Sequence, residues 1–298
     1  QGTIQQGEQT WNVVDVRKEG DLIIHICEGK NQPKSEPVIA KIDVDKRKAS
    51  TRNHTGTHML HAALKKIIGQ HVNQAGSIVH PDYLRFDFTH SERLSSDQVE
   101  EIERLVNRKI RENIGLNVFE TGYRQAVDSG VTALFGEKYG DTVRVVQLDD
   151  FSSELCGGCH TAATGEIGSF RIVSEGAIAS GVRRIIAVTG ERAEEVSRDE
   201  GKAVQELKHL LNVQTESIGV QVANLMHEKR RLEKELQFLK KQSAAGYAQN
   251  LISNAWPVAG VPVLAMKVEA NSMDELRSLG DNLRKELEGI ALLGAELD

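Results

Sequence analysis

The chain is 298 residues long, 39% hydrophobic and 27% charged, with a formal net charge of −6. This composition describes a soluble globular chain of about two domains. No stretch approaches the roughly 20 apolar residues that span a bilayer. A negative net charge excludes a generic nucleic-acid coat, whose affinity comes from accumulated Lys and Arg, but leaves room for a local basic patch that grips one end of an RNA.

The first 48 residues read as β-rich. Val38, Ala40, Ile42 and Val44 alternate with polar or opposite-facing neighbours, a period of two that predicts one apolar face against a core. Trp11 to Val16 and Leu22 to Cys27 read as two further strands around Glu19-Gly20-Asp21, so residues 1–48 are expected to form a small barrel-like unit. From Asn53 the period changes. Leu60, Leu64, Ile67 and Ile68 predict a helix that Gly69 stops.

Tyr83 to Phe88 alternates again, with Leu84, Phe86 and Phe88 on the dry side and Arg85 and Asp87, read as a structural pair, on the wet side. Ser95-Ser96-Asp97-Gln98 carries a capping-box signature ahead of an apolar stripe from Val99 to Ile110. Val143 to Leu148, Phe170 to Val173 and Arg183 to Val188 read as strands, so residues 49–189 are expected to form one α+β domain.

Residues 190–255 turn to Glu, Lys, Leu and Gln. Val204, Leu211, Ile218, Leu225, Leu232 and Leu239 fall in a column of seven-residue spacing, which predicts a coiled coil or, given the polar break at residues 212–219, an antiparallel helical hairpin. Residues 256–298 predict a strand, Val261 to Val268, and a helix, Met273 to Leu287, as the start of a small α/β unit. The opening Gln1 and the closing apolar run suggest a piece of a longer protein. The fold class expected overall is α+β.

Two short clusters carry the chemistry. In His54-Thr55-Gly56-Thr57-His58, imidazoles at i and i+4 stand on one helical face and can reach one point in space. In Cys156-Gly157-Gly158-Cys159-His160, two glycines let the backbone turn sharply and bring a thiolate and an imidazole toward a common centre. Either cluster alone is weak, but mixed nitrogen and sulfur donors at these spacings favour a shared zinc ion. His54 and His58 are expected to open their helix, where the macrodipole disfavours imidazolium and keeps the rings neutral. His61, at i+3 from His58, is the rival ligand and is read as an outer partner or a surface residue.

Cys156-x-x-Cys159-His160 also matches covalent haem attachment, and Cys-x-x-Cys matches a redox pair. Haem attachment calls for an exported chain and no secretion signal is evident. A redox site calls for a βαβ context that is missing around it. Three cysteines, with Cys27 far from the others, fit a reducing cytoplasm and no disulfide framework.

Together Arg52-Asn53-His54-Thr55-Gly56-Thr57-His58, the Gln74 to Val79 run, Leu84 to Phe88, Cys156-Gly157-Gly158-Cys159-His160 and Gly181-Val182-Arg183-Arg184 resemble the editing half of bacterial alanyl-tRNA synthetases and their free-standing editing relatives. The resemblance implies hydrolysis of mischarged Ser-tRNA(Ala) and Gly-tRNA(Ala), zinc on His54, His58, Cys156 and His160, a substrate-facing amide at Gln74, and contact with the tRNA acceptor end at Arg183. No ATP site, Walker A loop or dinucleotide fingerprint stands out in the sequence, so aminoacylation by this chain alone is not expected. Homodimerisation through the helical linker or a further domain is a partner expectation. Cys159 departs from the family, which usually has Thr there, and Gly56 stands where Ala is common.

Chemistry supports the need for a second, hydrolytic site. An apolar pocket shaped for alanine rejects an isostere with an added hydroxyl only on the order of a hundredfold, and the larger serine must then be sorted by a polar partner for its hydroxyl. Four protein ligands describe a closed metal site, whereas reactive sites usually keep a position open. A metal-stapled RNA-binding module without hydrolytic activity is therefore the competing expectation.

Overall fold

The Asp43 side chain accepts from the Lys46 amide (3.0 Å) and caps helix α1, Val44–Ile67, in the computed structural model. The structure describes residues 2–20, 22–133, 139–270 and 272–296; Asp21 and Leu297, from the expected turn and closing run, lie outside them. The chain separates into two units, residues 1–202 and 203–298. Its class is α+β, with several sheets and helices.

Helix α1 starts nine residues before the Asn53 expected from the apolar period. Residues 44–52 carry Lys, Arg and Ala, which favour helix, but they are polar all round, and periodicity reports only where a helix buries a face. Its stop is as expected. The Ile68 amide donates to Leu64 O, and Gly69 follows with φ of +138°.

Ahead of α1, strands β1 (Gly2–Gln6), β2 (Gln9–Glu19), β3 (Leu22–Glu28) and β4 (Ile39–Ile42) form a sheet in the order β3-β2-β1-β4. The sheet has β3 and β4 at its edges, and the barrel expectation is not confirmed for the described residues. Val38, Ile42 and Val44 are exposed, so the alternation that predicted a dry face buries none here; Val44 has left the strand for the helix. Trp11, whose indole N–H donates to Asn31 O, is the one buried hydrophobic residue of this sheet among the described residues.

The core of the first unit lies between α1, helix α2 (Ser96–Arg111) and an antiparallel sheet. That sheet is built from β5 (Gln74–Val79), β6 (Leu84–Thr89), β10 (Phe170–Ala179) and β11 (Val182–Thr189), in the order β10-β11-β6-β5. Leu84, Phe86 and Phe88 are fully buried on one face of β6, with Met59, Leu60 and Leu64 of α1 and Ile102 and Val106 of α2 in the same cluster. Each such side chain contributes about 1.5–3 kcal/mol by leaving water. On the other face Arg184 of β11 holds Asp87 with two bonds (2.7 and 2.8 Å), and Arg85 lies 3.5 Å from it. The expected Arg85–Asp87 pair is thus centred on a third residue. Helix α2 begins with the predicted capping box, Ser95 and Gln98 bonding each other's backbone.

A second sheet, β7 (Asn117–Gly122), β8 (Thr142–Leu148) and β9 (Ser152–Leu155), lies in sequence order and brings the chain to Cys156. Helix α3, Tyr123–Asp128, packs on β7 and β8.

Helix α4 (Gly190–Leu211) carries the chain past residue 202. Asn212, with φ of +51°, breaks it at the expected polar interruption, and α5 (Ile218–Ile252) follows. Leu225, Leu232 and Leu239 of the seven-residue column are exposed, so the coiled-coil expectation is not confirmed along α5 within this chain. In the second unit β12 (Trp256–Val258), β13 (Val261–Lys267) and β14 (Ile290–Gly294) form a small sheet. Helix α6 (Met273–Glu286) and the end of α5 bury Leu251, Leu264, Leu279 and Leu283 against it. No described helix is long and apolar enough to cross a membrane.

Candidate metal centre

The early start of α1 moves its histidines. His54 and His58 lie in the third and fourth turns, where backbone amides are already paired, so the macrodipole cannot be what keeps them neutral. Burial does this instead. It pushes His54 down to about 4, helped by His58, while the Cys159 backbone, Glu154 and Arg144 act more weakly. Burial also pushes His160 down to about 2, with His58, His54 and Arg144 adding to it. His58 is lowered by burial against the pull of Glu154. All three rings are neutral near pH 7, the form that ligates.

The second cluster reaches them through a turn that the sheet fixes. The Cys156 amide donates to Arg144 O on β8 (3.0 Å), and Arg144 Nη1 returns bonds to Cys156 O and Gly158 O (both 2.8 Å). The Gly158 amide donates to Cys156 Sγ (3.4 Å), as a backbone N–H does to a thiolate. Thr55 of α1 ties the far side down, its hydroxyl accepting from the Thr161 amide (3.1 Å) and meeting His160 Nδ1 at 3.2 Å.

The four predicted donors converge. Cys156 Sγ lies 3.4 Å from His54 Nε2 and 3.3 Å from His160 Nε2, and the ligand atoms of His54, His58, Cys156 and His160 all fall within 4.8 Å of one another. Metal–ligand bonds of about 2.0–2.3 Å at tetrahedral angles place neighbouring donors roughly 3.3–3.8 Å apart, so the two sulfur–nitrogen separations match a four-coordinate divalent ion and the four donors together could hold one. Cys159 lies outside the donor set, exposed, with Arg47 Nη1 3.5 Å from its sulfur. His61 is outside it too. It is buried, and its Nδ1 lies 3.1 Å from Glu154 Oε1.

Sequence reasoning missed Glu154 and Thr55. Glu154 is buried at the end of β9, its Oε2 3.4 Å from His58 Nδ1, close enough for the carboxylate to face a neutral imidazole N–H though without the alignment of a good hydrogen bond. Burial opposes its charge, but His58, His61 and Lys65 outweigh that and hold the carboxyl below its ordinary value. The signal available in the sequence was position: a carboxylate two residues before the thiolate leaves an extended strand on the same side.

Gln74 and Arg183 sit elsewhere in the domain. Both pair with Phe88 across the sheet, so they share one row and the α1-facing side of it. Gln74 is half-buried, while Arg183 is buried and its Nε donates to Glu175 of β10. No described hydrogen bond joins either residue to the donor set.

Gly158 shows how tight the centre is. A Cβ there would lie 2.1 Å from His54 Cε1, whereas one at Gly157 meets nothing within 4 Å. Gly158→Ala is expected to push His54 off its position and weaken divalent-metal binding roughly tenfold or more, and Gly157→Ala to leave it unchanged, in competition titrations against a chromophoric chelator.

Residues 143–186 match the family described as the threonyl and alanyl tRNA synthetase second additional domain. The chain is homologous along its whole length to alanine–tRNA ligases. It is 44% identical to that of Hydrogenovibrio crunogenus over 302 residues, covering 100% of this chain and 35% of the relative. It is 41% identical to that of Alkaliphilus oremlandii over 299 residues (99% and 34%), and 45% identical to that of Geobacillus thermodenitrificans over 254 residues (85% and 29%). The chain thus spans about a third of the length of these relatives. The matched family begins at β8 and ends in β11, so it contains Cys156, His160 and Arg183, while His54, His58 and Gln74 precede it.

Proposed function

We propose that the first unit hydrolyses the ester of mischarged Ser-tRNA(Ala) and Gly-tRNA(Ala), with zinc held by His54, His58, Cys156 and His160. The observation that carries this reading is the convergence of three neutral imidazoles and a thiol, from segments about a hundred residues apart, in a chain homologous end to end to enzymes that join alanine to tRNA. Three nitrogens and a sulfur are zinc's preferred company.

In the reaction water attacks the carbonyl joining the amino acid to the terminal ribose, the acyl C–O bond breaks, and the ribose hydroxyl leaves with a proton. When bound, zinc supplies Lewis-acid polarisation or an anchor for the substrate. The residues around it do the positioning. Arg144 clamps the turn that presents Cys156, and Thr55 holds His160 in one orientation. Gln74 is the amide for a serine hydroxyl, which alanine would leave unsatisfied. Arg183, kept in one place by Glu175, offers the rest of its guanidinium to the acceptor end.

The test is incubation of purified protein with Ser-tRNA(Ala) and Ala-tRNA(Ala). Zinc-loaded protein is expected to release serine and spare alanine, and Cys156→Ala to release neither. Tight tRNA binding without serine release by the zinc-loaded protein would overturn the proposal in favour of a metal-stapled RNA-binding module.

A further inference from the structure

Glu154 is a carboxylate in an unusual place. Its side chain is buried, and no Arg or Lys lies within ion-pair distance of it among the described residues. Its neighbours are two imidazoles and one hydroxyl: His61 Nδ1 at 3.1 Å and Ser152 Oγ at 3.3 Å on Oε1, and His58 Nδ1 at 3.4 Å on Oε2. Burying an isolated carboxylate is costly, and a fold retains one where its hydrogen bonds accomplish something.

We propose that Glu154 is a positioning residue for the metal centre, fixing the tautomer and ring orientation of His58, and that His61 locks Glu154 in place. This rests on reading the His/Cys cluster as a metal site. An ionised carboxylate only accepts, so a neutral ring placed against it must carry its proton on Nδ1. That leaves the His58 Nε2 lone pair for the metal. The two remaining imidazoles are oriented likewise, His160 by the Thr55 hydroxyl at Nδ1 and His54 by the Cys159 backbone. Glu154 therefore completes a pattern in which every ligating ring has an outer partner.

His61 fits the same logic. Its Nδ1 holds Oε1, its ring lies 5.2 Å from that of Phe86, and its buried Nε2 has no partner among the described residues. With the proton on Nδ1, the orphaned atom is a lone pair and not an N–H, the less costly of the two to leave unmet. Bonded at one oxygen by His61 and Ser152, the carboxylate cannot swing away from His58. The strand that delivers the thiolate at Cys156 thus also delivers, two residues earlier, the carboxylate that aims an imidazole at it.

The test uses Glu154→Gln, His61→Asn and His61→Leu in the full chain, with two readouts. The first is zinc affinity by chelator competition, with cobalt(II) absorption reporting the ligand field. The second is the His58 tautomer in metal-free protein, from long-range proton–nitrogen NMR. Wild type is expected to show a single Nδ1–H tautomer. Glu154→Gln, whose amide can donate as well as accept, is expected to mix tautomers and weaken zinc binding about ten- to hundredfold. His61→Asn keeps a donor at the Nδ1 position and is expected to stay near wild type, whereas His61→Leu is expected to lose about tenfold.

Unchanged zinc affinity and an unchanged tautomer in Glu154→Gln overturn the proposal. Should that variant fail to fold, the contrast between the two His61 variants decides in its place, and equal behaviour of the two overturns it. If wild type binds no zinc, the metal reading fails by itself, while the tautomer measurement on metal-free protein still judges whether Glu154 sets His58.

Discussion

Cys156→Ala is expected to reduce affinity for zinc on the order of a thousandfold and to abolish ester hydrolysis, while the rest of the first unit keeps its fold. Loss of an outer partner costs a metal site about ten- to hundredfold, and loss of the one anionic donor in a three-imidazole set costs more. Arg144 bonds the carbonyls of Cys156 and Gly158, not the thiol, so the turn survives the substitution. Zinc at a hundred times its dissociation constant adds about 2.7 kcal/mol to the folded state. In a unit of this size that raises the melting temperature by roughly 5–10 °C. Calorimetry of wild type with and without a chelator should show this difference, and Cys156→Ala should melt at the chelated wild-type temperature under both conditions. A chelator-sensitive Cys156→Ala would mean that another donor, with Cys159 the nearest thiol in sequence, has taken over the ion.

What the sequence disclosed and what it withheld follow from where each residue's information lies. The convergence of the donors was legible because two histidines four apart on a helix and a Cys-Gly-Gly-Cys-His turn are local patterns, each weak alone but pointing to a shared ion when both occur in a chain with three cysteines. The dry face of β6 was legible for the same reason, Leu84, Phe86 and Phe88 recurring at period two. Helix α1 was misjudged at its start because Val44 to Arg52 bury no continuous stripe, so nothing periodic announces those turns. That error carried a second one with it, the appeal to the helix terminus for histidine neutrality. The exposed Val38, Ile42 and Val44 show the converse failure, an alternation with no facing layer in the described structure. Glu154 was missed because, although its place two residues before Cys156 was a signal, its meaning depends on His58 and His61, more than ninety residues away in sequence. The ion pair between Arg183 and Glu175 comes from the pairing of β10 with β11, which no local pattern specifies.

Acid should unfold the metal-free protein from an unusually high pH. His54 and His160 are neutral in the fold, with values near 4 and 2, and ordinary, near 6.5, once unfolded. Below pH 6.5 the unfolded chain therefore binds more protons than the folded one, and stability falls as pH falls. Above pH 6.5 neither ring contributes to the slope. Each group lowers stability by up to about 1.4 kcal/mol per pH unit below that point, so the pair removes about 2–4 kcal/mol between pH 6.5 and pH 5. His58 is lowered too and adds in the same direction, while Glu154, itself held below its ordinary value, stays ionised over this range. Surface carboxylates contribute mainly below pH 5, which separates the two sources of acid sensitivity. Denaturant unfolding of chelator-treated protein from pH 7.5 to pH 5 is expected to show a flat region, then a slope of about two protons from His54 and His160, to which His58 adds up to one more. His54→Asn in the same series is expected to remove about one of them. A pH-independent stability between 6.5 and 5 would show that these rings are solvated in the metal-free state, and that burial of the cluster depends on the metal.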